Sequence, residues 1–321
     1  MEYKRLGQTG IKVSNICLGT MQFGWTAGEE LSHQIMSTAV ESGCNFFDTA
    51  DIYSSWVEGN DGGVSEEIIG RWLSASQVRR QDMVIATKVR GKMGEGPNDS
   101  GLSRQHIFTA VDDSLRRLQT DYIDLYQLHW PDEETDLEET LKALDDLVKM
   151  GKVLYFGCSN YPAWLLAKAL WISDVRGLNR FETIQPHYNL IHRAEFEREL
   201  QPLCIDQNIG VIPYSPLAGG FLTGKYRRES TLPDSARASG VERRYMNDQG
   251  FTVIDRLDEI AKSRNVSISQ VALAWLMGNS AVHSAIIGPR SLEQLADNMA
   301  GVTFELSEKE YKSLSELTAW K

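Results

Sequence analysis

Four polar residues stand at the ends of apolar, strand-like runs: Asp48 and Tyr53 after NFF, Lys88 after MVIAT and His129 after IDLYQL. A titratable residue that ends a strand sits at the mouth of a sheet, not in its core, and successive strands repeat the placement here. The set suits carbonyl reduction. An alkoxide developing on a substrate needs a proton, and a tyrosine hydroxyl can supply it although it ordinarily titrates near ~10. A neighbouring ammonium lowers that value, and a carboxylate keeps the ammonium charged and oriented. Tyr53, Lys88 and Asp48 are of those types, and His129 could polarise the carbonyl oxygen. Singly, each also reads as a helix cap, a solvated charge, a core edge or a loop histidine. Four at consecutive strand ends point to chemistry at one end of a parallel sheet.

The elements that must hold these residues alternate. Strand-like runs fall at 16–20, 45–50, 83–88, 123–129, 153–159, 183–188, 210–216 and 285–289. Most are near-continuous apolar stretches, as parallel strands buried on both faces require. Between them lie helical periods, with Ile107, Val111, Leu115 and Leu118 on one face and Leu137, Leu141, Leu144 and Val148 on the next. Thr135 with Glu138, Ser267 with Gln270 and Ser291 with Gln294 have capping-box spacing, and Gly151 and Gly210 stand where helices should stop.

Two domains or one large barrel both suit 321 residues. Eight strand-helix repeats favour one (β/α)8 TIM barrel over residues 1–321. No GxGxxG follows an early strand; the nearest stretch, Gly91 to Gly96, continues into polar loop, so a doubly wound nucleotide fold is rejected. Outside the eightfold count, residues 3–13 read as a hairpin closing the bottom of the barrel. The polar stretch 224–250 is a long loop after strand 7. Its length and its Lys225, Arg227 and Arg228 suggest a lid that is mobile until it folds over a phosphate-bearing ligand.

The net charge of -11 argues against nucleic acid and anionic membrane as partners and leaves a small molecule. Cys17, Cys44, Cys158 and Cys204 show neither CxxC pairing nor metal spacing and read as buried free thiols. The start MEYKRLGQTG lacks signal-peptide features, and no apolar run is long enough to span a bilayer. A cytoplasmic location is expected, with the Asn98 and Asn265 sequons as chance matches.

With these residues placed, the chain resembles the aldo-keto reductases. The resemblance is carried by LGTMQFG (18–24), FFDTADIY (46–53), IATK (85–88), DYIDLYQLHWP (121–131), FGCSN (156–160), QPHYNL (185–190), IPYSPLAGGFLTGKY (212–226) and IIGPRSLEQLADN (286–298). It implies that Asp48, Tyr53, Lys88 and His129 form the family's catalytic tetrad, with Tyr53 the proton donor, and that NADP(H) is the cofactor. By the same resemblance Gly19 and Thr20 belong to the cofactor site, Ser159, Asn160 and Gln185 hold the nicotinamide carboxamide, and Tyr214 stacks on the ring. Ser215, Leu217, Gly219 and Lys225 resemble the pyrophosphate clamp. Gly288, Arg290, Ser291, Gln294 and Asn298 span the strand-to-helix turn that would take an adenosine 2′-phosphate, with Gln294 where some relatives have arginine.

The segment SSWVEGNDGGVSEE after Tyr53 is longer than in many relatives. Its Trp56, with Trp25 and Trp130, either walls the substrate or packs a loop onto the barrel. No metal is expected. The leading expectation is an NADPH-dependent reductase of aldehydes or ketones, reversible toward alcohol oxidation. The alternative is a nicotinamide-nucleotide-sensing regulatory subunit such as the potassium-channel β subunits of the same fold.

Overall fold

The structure, a computed structural model, describes residues 1–228 and 231–320. Two short strands, β1 (Tyr3–Arg5) and β2 (Lys12–Ser14), pair antiparallel ahead of the barrel. Eight strands follow: β3 (Ile16–Gly19), β4 (Phe46–Asp48), β5 (Val84–Val89), β6 (Ile123–Leu128), β7 (Val153–Ser159), β8 (Phe181–Gln185), β9 (Gly210–Val211) and β10 (Ala285–Ile287). All pair in parallel in the order β10-β3-β4-β5-β6-β7-β8-β9. The ring closes between its ends, where His283 N donates to Val211 O at 2.9 Å and Ile286 N to Pro213 O at 3.0 Å. This is the (β/α)8 TIM barrel that the alternation implies.

The strand-like runs are longer than the strands. The run 210–216 pairs only at Gly210 and Val211 before resuming as a single bridge between His187 and Tyr214. Pro186, Pro213 and Pro216 have no N–H to donate, which interrupts the ladder there.

Alternation along the strands sorts the interior. Leu6, Val13, Cys17, Phe46, Val84, Ala86, Leu125, Ile212 and Ile286 form one buried apolar cluster. Leu6 and Val13 come from the hairpin, so it seals this end of the barrel as expected. Its turn presses close: Gly7 has φ +57°, and a Cβ there would lie 2.7 Å from Glu182 O and 2.8 Å from Gly210 N. Two residues beyond Phe46, Ala86 and Leu125, the same inward face carries Asp48, Lys88 and Gln127. The barrel interior therefore changes from apolar to polar toward the strand C-termini.

The outward residues Phe47, Ile85, Val89, Tyr126 and Leu128 pack in the larger cluster beneath the helices. Ile107, Val111, Leu118, Leu141 and Leu144 are buried there, with Leu115, Leu137 and Val148 half-buried beside them. Ser267 and Ser291 cap their helices, accepting from Gln270 N and Gln294 N. Thr135 does not cap: its hydroxyl donates to Asp132 Oδ2 at 2.7 Å, and Asp136 accepts from Glu138 N instead. Gly151 has φ +74° after its helix, but Gly210 lies inside β9, and Asn208, φ +50°, follows the helix Gln201–Asp206.

The segment 224–250 is partly helical, with Ala238–Tyr245 a helix and a second starting at Asp248 under an Asn247 cap. Glu229 and Ser230 of this segment lie outside the described residues. All four cysteines are free and buried. Among the described residues no helix is long and apolar enough to cross a membrane.

Candidate active site

The tetrad residues converge at the strand C-termini because β4, β5 and β6 are neighbours in register, Lys88 lying opposite Gln127. Lys88 is fully buried, and its Nζ donates to Asp48 Oδ2 at 2.5 Å, to Thr49 O at 2.8 Å and to Tyr53 Oη at 3.0 Å. An ammonium has three protons, and each has an acceptor. Burial draws the Lys88 ammonium down, but the charges and hydrogen bonds of Asp48 and Tyr53 carry it above its ordinary value.

Asp48 is equally committed. Its second oxygen, Oδ1, accepts from Gln127 Nε2 at 2.9 Å and from Gln185 Nε2 at 2.8 Å. Gln127 was not singled out from the sequence. Its signal was a polar residue at an inward position of β6, facing Lys88 across the ladder.

Tyr53 differs from expectation in one respect. Burial raises its hydroxyl above the ordinary value; Lys88 pulls it down, and Asp48 adds to the rise. Desolvation of the phenolate thus outweighs the ammonium, so Tyr53 keeps its proton at neutral pH. His129 follows β6 with its ring centroid 5.9 Å from that of Tyr53. Burial, then Lys88 and Arg90, hold its imidazole far below the ordinary range, so the ring is neutral. Its Nδ1 is buried with no hydrogen-bond partner among the described residues.

Ser159, Asn160, Gln185 and Tyr214 form one connected frame beside the tetrad. Ser159 Oγ donates to Gln185 O at 2.8 Å and Tyr214 Oη to Asn160 Oδ1 at 2.9 Å. Asn160, at φ +60°, spreads its Nδ2 between His129 O at 2.9 Å and Ser159 Oγ at 3.0 Å. Behind Tyr214, the His187 ring stacks at 5.1 Å. The aromatic shelf thus has a fixed back and a fixed hydroxyl.

Thr20 is fully buried and spent on the framework, its N and Oγ1 both donating to Asp48 O. A Cβ on Gly19 would lie 2.6 Å from Ile286 Cγ2, so β3 and β10 are in close contact there. Gln22, also unforeseen, donates to Gly19 O at 2.9 Å and Pro289 O at 3.0 Å, joining the ends of those strands.

Beyond Tyr214 the chain turns through Ser215 at φ +57°, Leu217 and Gly219 at φ +68° to Lys225. Burial, then Arg290 and Arg237, lower the Lys225 ammonium below its ordinary value; burial and then Arg290 do the same to the Arg237 guanidinium. Lys225, Arg237 and Arg290 thus face one another, and among the described residues none has an acidic partner. Arg237 lies 5.8 Å over the Trp25 ring and was not foreseen from the sequence. Arg227 and Arg228, expected to face phosphates, pair instead with Asp258 at 3.6 Å and Asp248 at 2.6 Å. At the last turn Gly288 is exposed, Asn298 is buried, and Gln294 Oε1 accepts from Arg290 N at 2.9 Å.

Trp25 and Trp56 meet edge to face at 5.5 Å, with Trp56 6.3 Å from Tyr53. Trp130 stacks on His129 at 3.8 Å. Trp56 thus packs against Tyr53 and Trp130 against His129, and both indoles remain exposed. Among the described residues no cluster has metal-binding composition.

Comparison with known proteins identifies the family. The profile described as "Aldo/keto reductase family" matches residues 15–319. The chain belongs to this family. It is an oxidoreductase acting on carbonyl and alcohol groups. It is 38% identical over 321 residues to the uncharacterized oxidoreductase YrpG of Bacillus subtilis (strain 168), covering 99% of this chain and 96% of that one. It is 36% identical to the versiconal hemiacetal acetate reductase of Aspergillus parasiticus, over 98% and 96% of the two chains. It is also 36% identical to a probable voltage-gated potassium channel subunit beta of Arabidopsis thaliana, over 94% and 91%.

Proposed function

We propose that this aldo-keto reductase is a cytoplasmic, NADPH-dependent enzyme, a single barrel domain that reduces aldehydes or ketones with Tyr53 as proton donor. The observation that carries the reading is the short chain Asp48, Lys88, Tyr53, with links of 2.5 and 3.0 Å inside a fully buried setting. Bound beside it, a nicotinamide dinucleotide would supply the hydride. Tyr53 holds its proton until oxygen charge develops on the substrate, and Lys88 then stabilises the phenolate left behind. Asp48 keeps Lys88 charged and aimed. His129, being neutral, offers a hydrogen bond to the carbonyl oxygen without competing for the proton.

The residues present fit the cofactor. Tyr214, backed by His187 and tethered to Asn160, is a shelf for a flat ring, and Ser159, Asn160 and Gln185 surround it with amide and hydroxyl groups. Lys225, Arg237 and Arg290 form a cationic cluster suited to phosphates, and Arg290 stands at the start of a helix, where a terminal phosphate gains from backbone amides. Trp25, Trp56 and Trp130 would flank the substrate.

Likeness to the channel subunit supports a second reading, a nucleotide sensor whose turnover is slow. A panel of simple aldehydes and ketones assayed with both cofactors separates the two. The enzyme consumes NADPH rapidly with at least one carbonyl and prefers it to NADH; tight NADPH binding with negligible turnover across the panel would overturn the enzymatic reading.

A further inference from the structure

Behind the tetrad, on the outer side of the strands, lies a second buried polar cluster that the proposed reaction does not use. Glu66, fully buried in the first turn of the helix Val64–Ala75, accepts from Thr87 Oγ1 and from Arg117 Nε, the latter at 2.6 Å. Arg117 is locked in place: Gly63 sits on it at φ +77°, and a Cβ there would come 2.4 Å from Arg117 Cδ. Asp51 completes the cluster. It is fully buried, two residues before Tyr53, and its Oδ1 accepts from Ile52 N at 2.6 Å. Its Oδ2 has no partner among the described residues, nor has the buried Tyr126 hydroxyl, which feels the charges of Asp51, Glu66 and Arg117.

The backbone of Asp51 gives this cluster access to the reaction. Its N donates to the carbonyl of Lys88 at 3.1 Å, and its O accepts from Gly63 N at 2.6 Å, closing the long turn that carries Tyr53 and Trp56. We propose that Asp51 is a positioning residue: held uncharged against the Glu66–Arg117 pair, it fixes the turn that carries Tyr53, and its ionisation releases that turn. The inference rests on the reading of Tyr53 as proton donor.

Charge balance supports it. The ionised groups that face Asp51 are Glu66, Arg117 and Lys88. Lys88 is engaged by Asp48 and Tyr53, and Arg117 by Glu66. One free carboxylate more would be a buried charge without a partner, which the protein avoids by keeping the group protonated or by moving it. Burial, and then the charge of Glu66, push the Asp51 carboxyl up to about 8. The hold on the turn should therefore weaken progressively as pH rises above the ordinary carboxylate range and be lost as pH passes about 8.

Two measurements on wild type, Asp51→Asn and Asp51→Ala test this. In the pH profile of kcat, wild-type turnover falls as pH passes about 8. Asp51→Asn, a permanently neutral mimic, retains turnover at pH 7 and lacks that limb. Asp51→Ala loses on the order of tenfold to a hundredfold, the scale of a small misplacement. The second measurement needs no turnover. Amide exchange of residues 51–63, corrected for its intrinsic pH dependence, rises several-fold between pH 7 and pH 9 in wild type and stays flat in Asp51→Asn. Exchange that responds in this way in a protein without reductase activity supports the Asp51 hinge and overturns the proposed reaction. Exchange that does not depend on Asp51, or a limb near pH 8 that persists in Asp51→Asn, overturns the inference.

Discussion

The two ends of the site differ in how complete they are. Around Asp48 the groups are closely engaged: both carboxylate oxygens, all three ammonium protons and the tyrosine hydroxyl oxygen belong to one buried network. At the phosphate end Lys225, Arg237 and Arg290 repel one another and have no acidic partner among the described residues. The first region is built for a reaction that must not wait for reorganisation. The second gathers like charges, an arrangement that an incoming anion would relieve. On the proposed function, the barrel would place preformed chemistry on strands and ligand-completed binding on loops.

The largest effect that would break this contrast is removal of the central ammonium. Lys88→Met leaves Asp48 without its counter-charge, and breaking such a buried pair costs about 3–5 kcal/mol. The variant should unfold at clearly lower denaturant concentration and show no reductase turnover. A variant as stable as wild type would mean that the network is less tightly coupled than its geometry implies.

The phosphate end should respond differently. Arg290→Ala should leave stability nearly unchanged and weaken NADPH binding by about 1.5–3 kcal/mol, the range for a hydrogen bond to a charged group. NADH should be almost unaffected. Calorimetric titration of both cofactors checks this, and equal weakening of the two would assign Arg290 to the shared pyrophosphate or to structure.

The smallest effect sharpens the contrast. If phosphates relieve repulsion among the cations, NADPH should reduce tryptic cleavage within 224–250 several-fold, while the outer helices change little. Arg227 and Arg228, near the start of the segment, are tied to Asp258 and Asp248, so cleavage at these two sites should be slow without cofactor. Equal cleavage with and without NADPH would show that the segment does not respond to the ligand.

The same division explains what could be read in the sequence. Lys88 and His129 were legible because they follow strand-like runs, and Asp48 because it follows Phe46 and Phe47; a strand fixes where such a residue points. Gln127 and Gln185 are inward-facing partners of the same carboxylate, and both lie in stretches that carry the resemblance, but only Gln185 was given a role by it. Gln127 needed knowledge of the register between β5 and β6. Arg237 was hidden because its position depends on how an irregular segment folds back over Trp25, and neither period nor motif encodes that. The sign of the Tyr53 shift was misjudged for a related reason. The attraction of Lys88 follows from residue types, whereas the opposing cost of burial depends on how completely the neighbouring indole and imidazole rings shield the hydroxyl.

The central claim is that Tyr53 supplies the proton and takes no part in holding the cofactor. It is tested most directly by Tyr53→Phe, with single-turnover reduction and NADPH affinity measured on the same preparation. The phenyl ring keeps the packing against Trp56 and removes only the hydroxyl on Lys88. The account predicts a loss of about 10²- to 10⁴-fold in the reduction step, the usual scale of general acid catalysis, with NADPH affinity nearly unchanged. Near-wild-type reduction by the variant would contradict it.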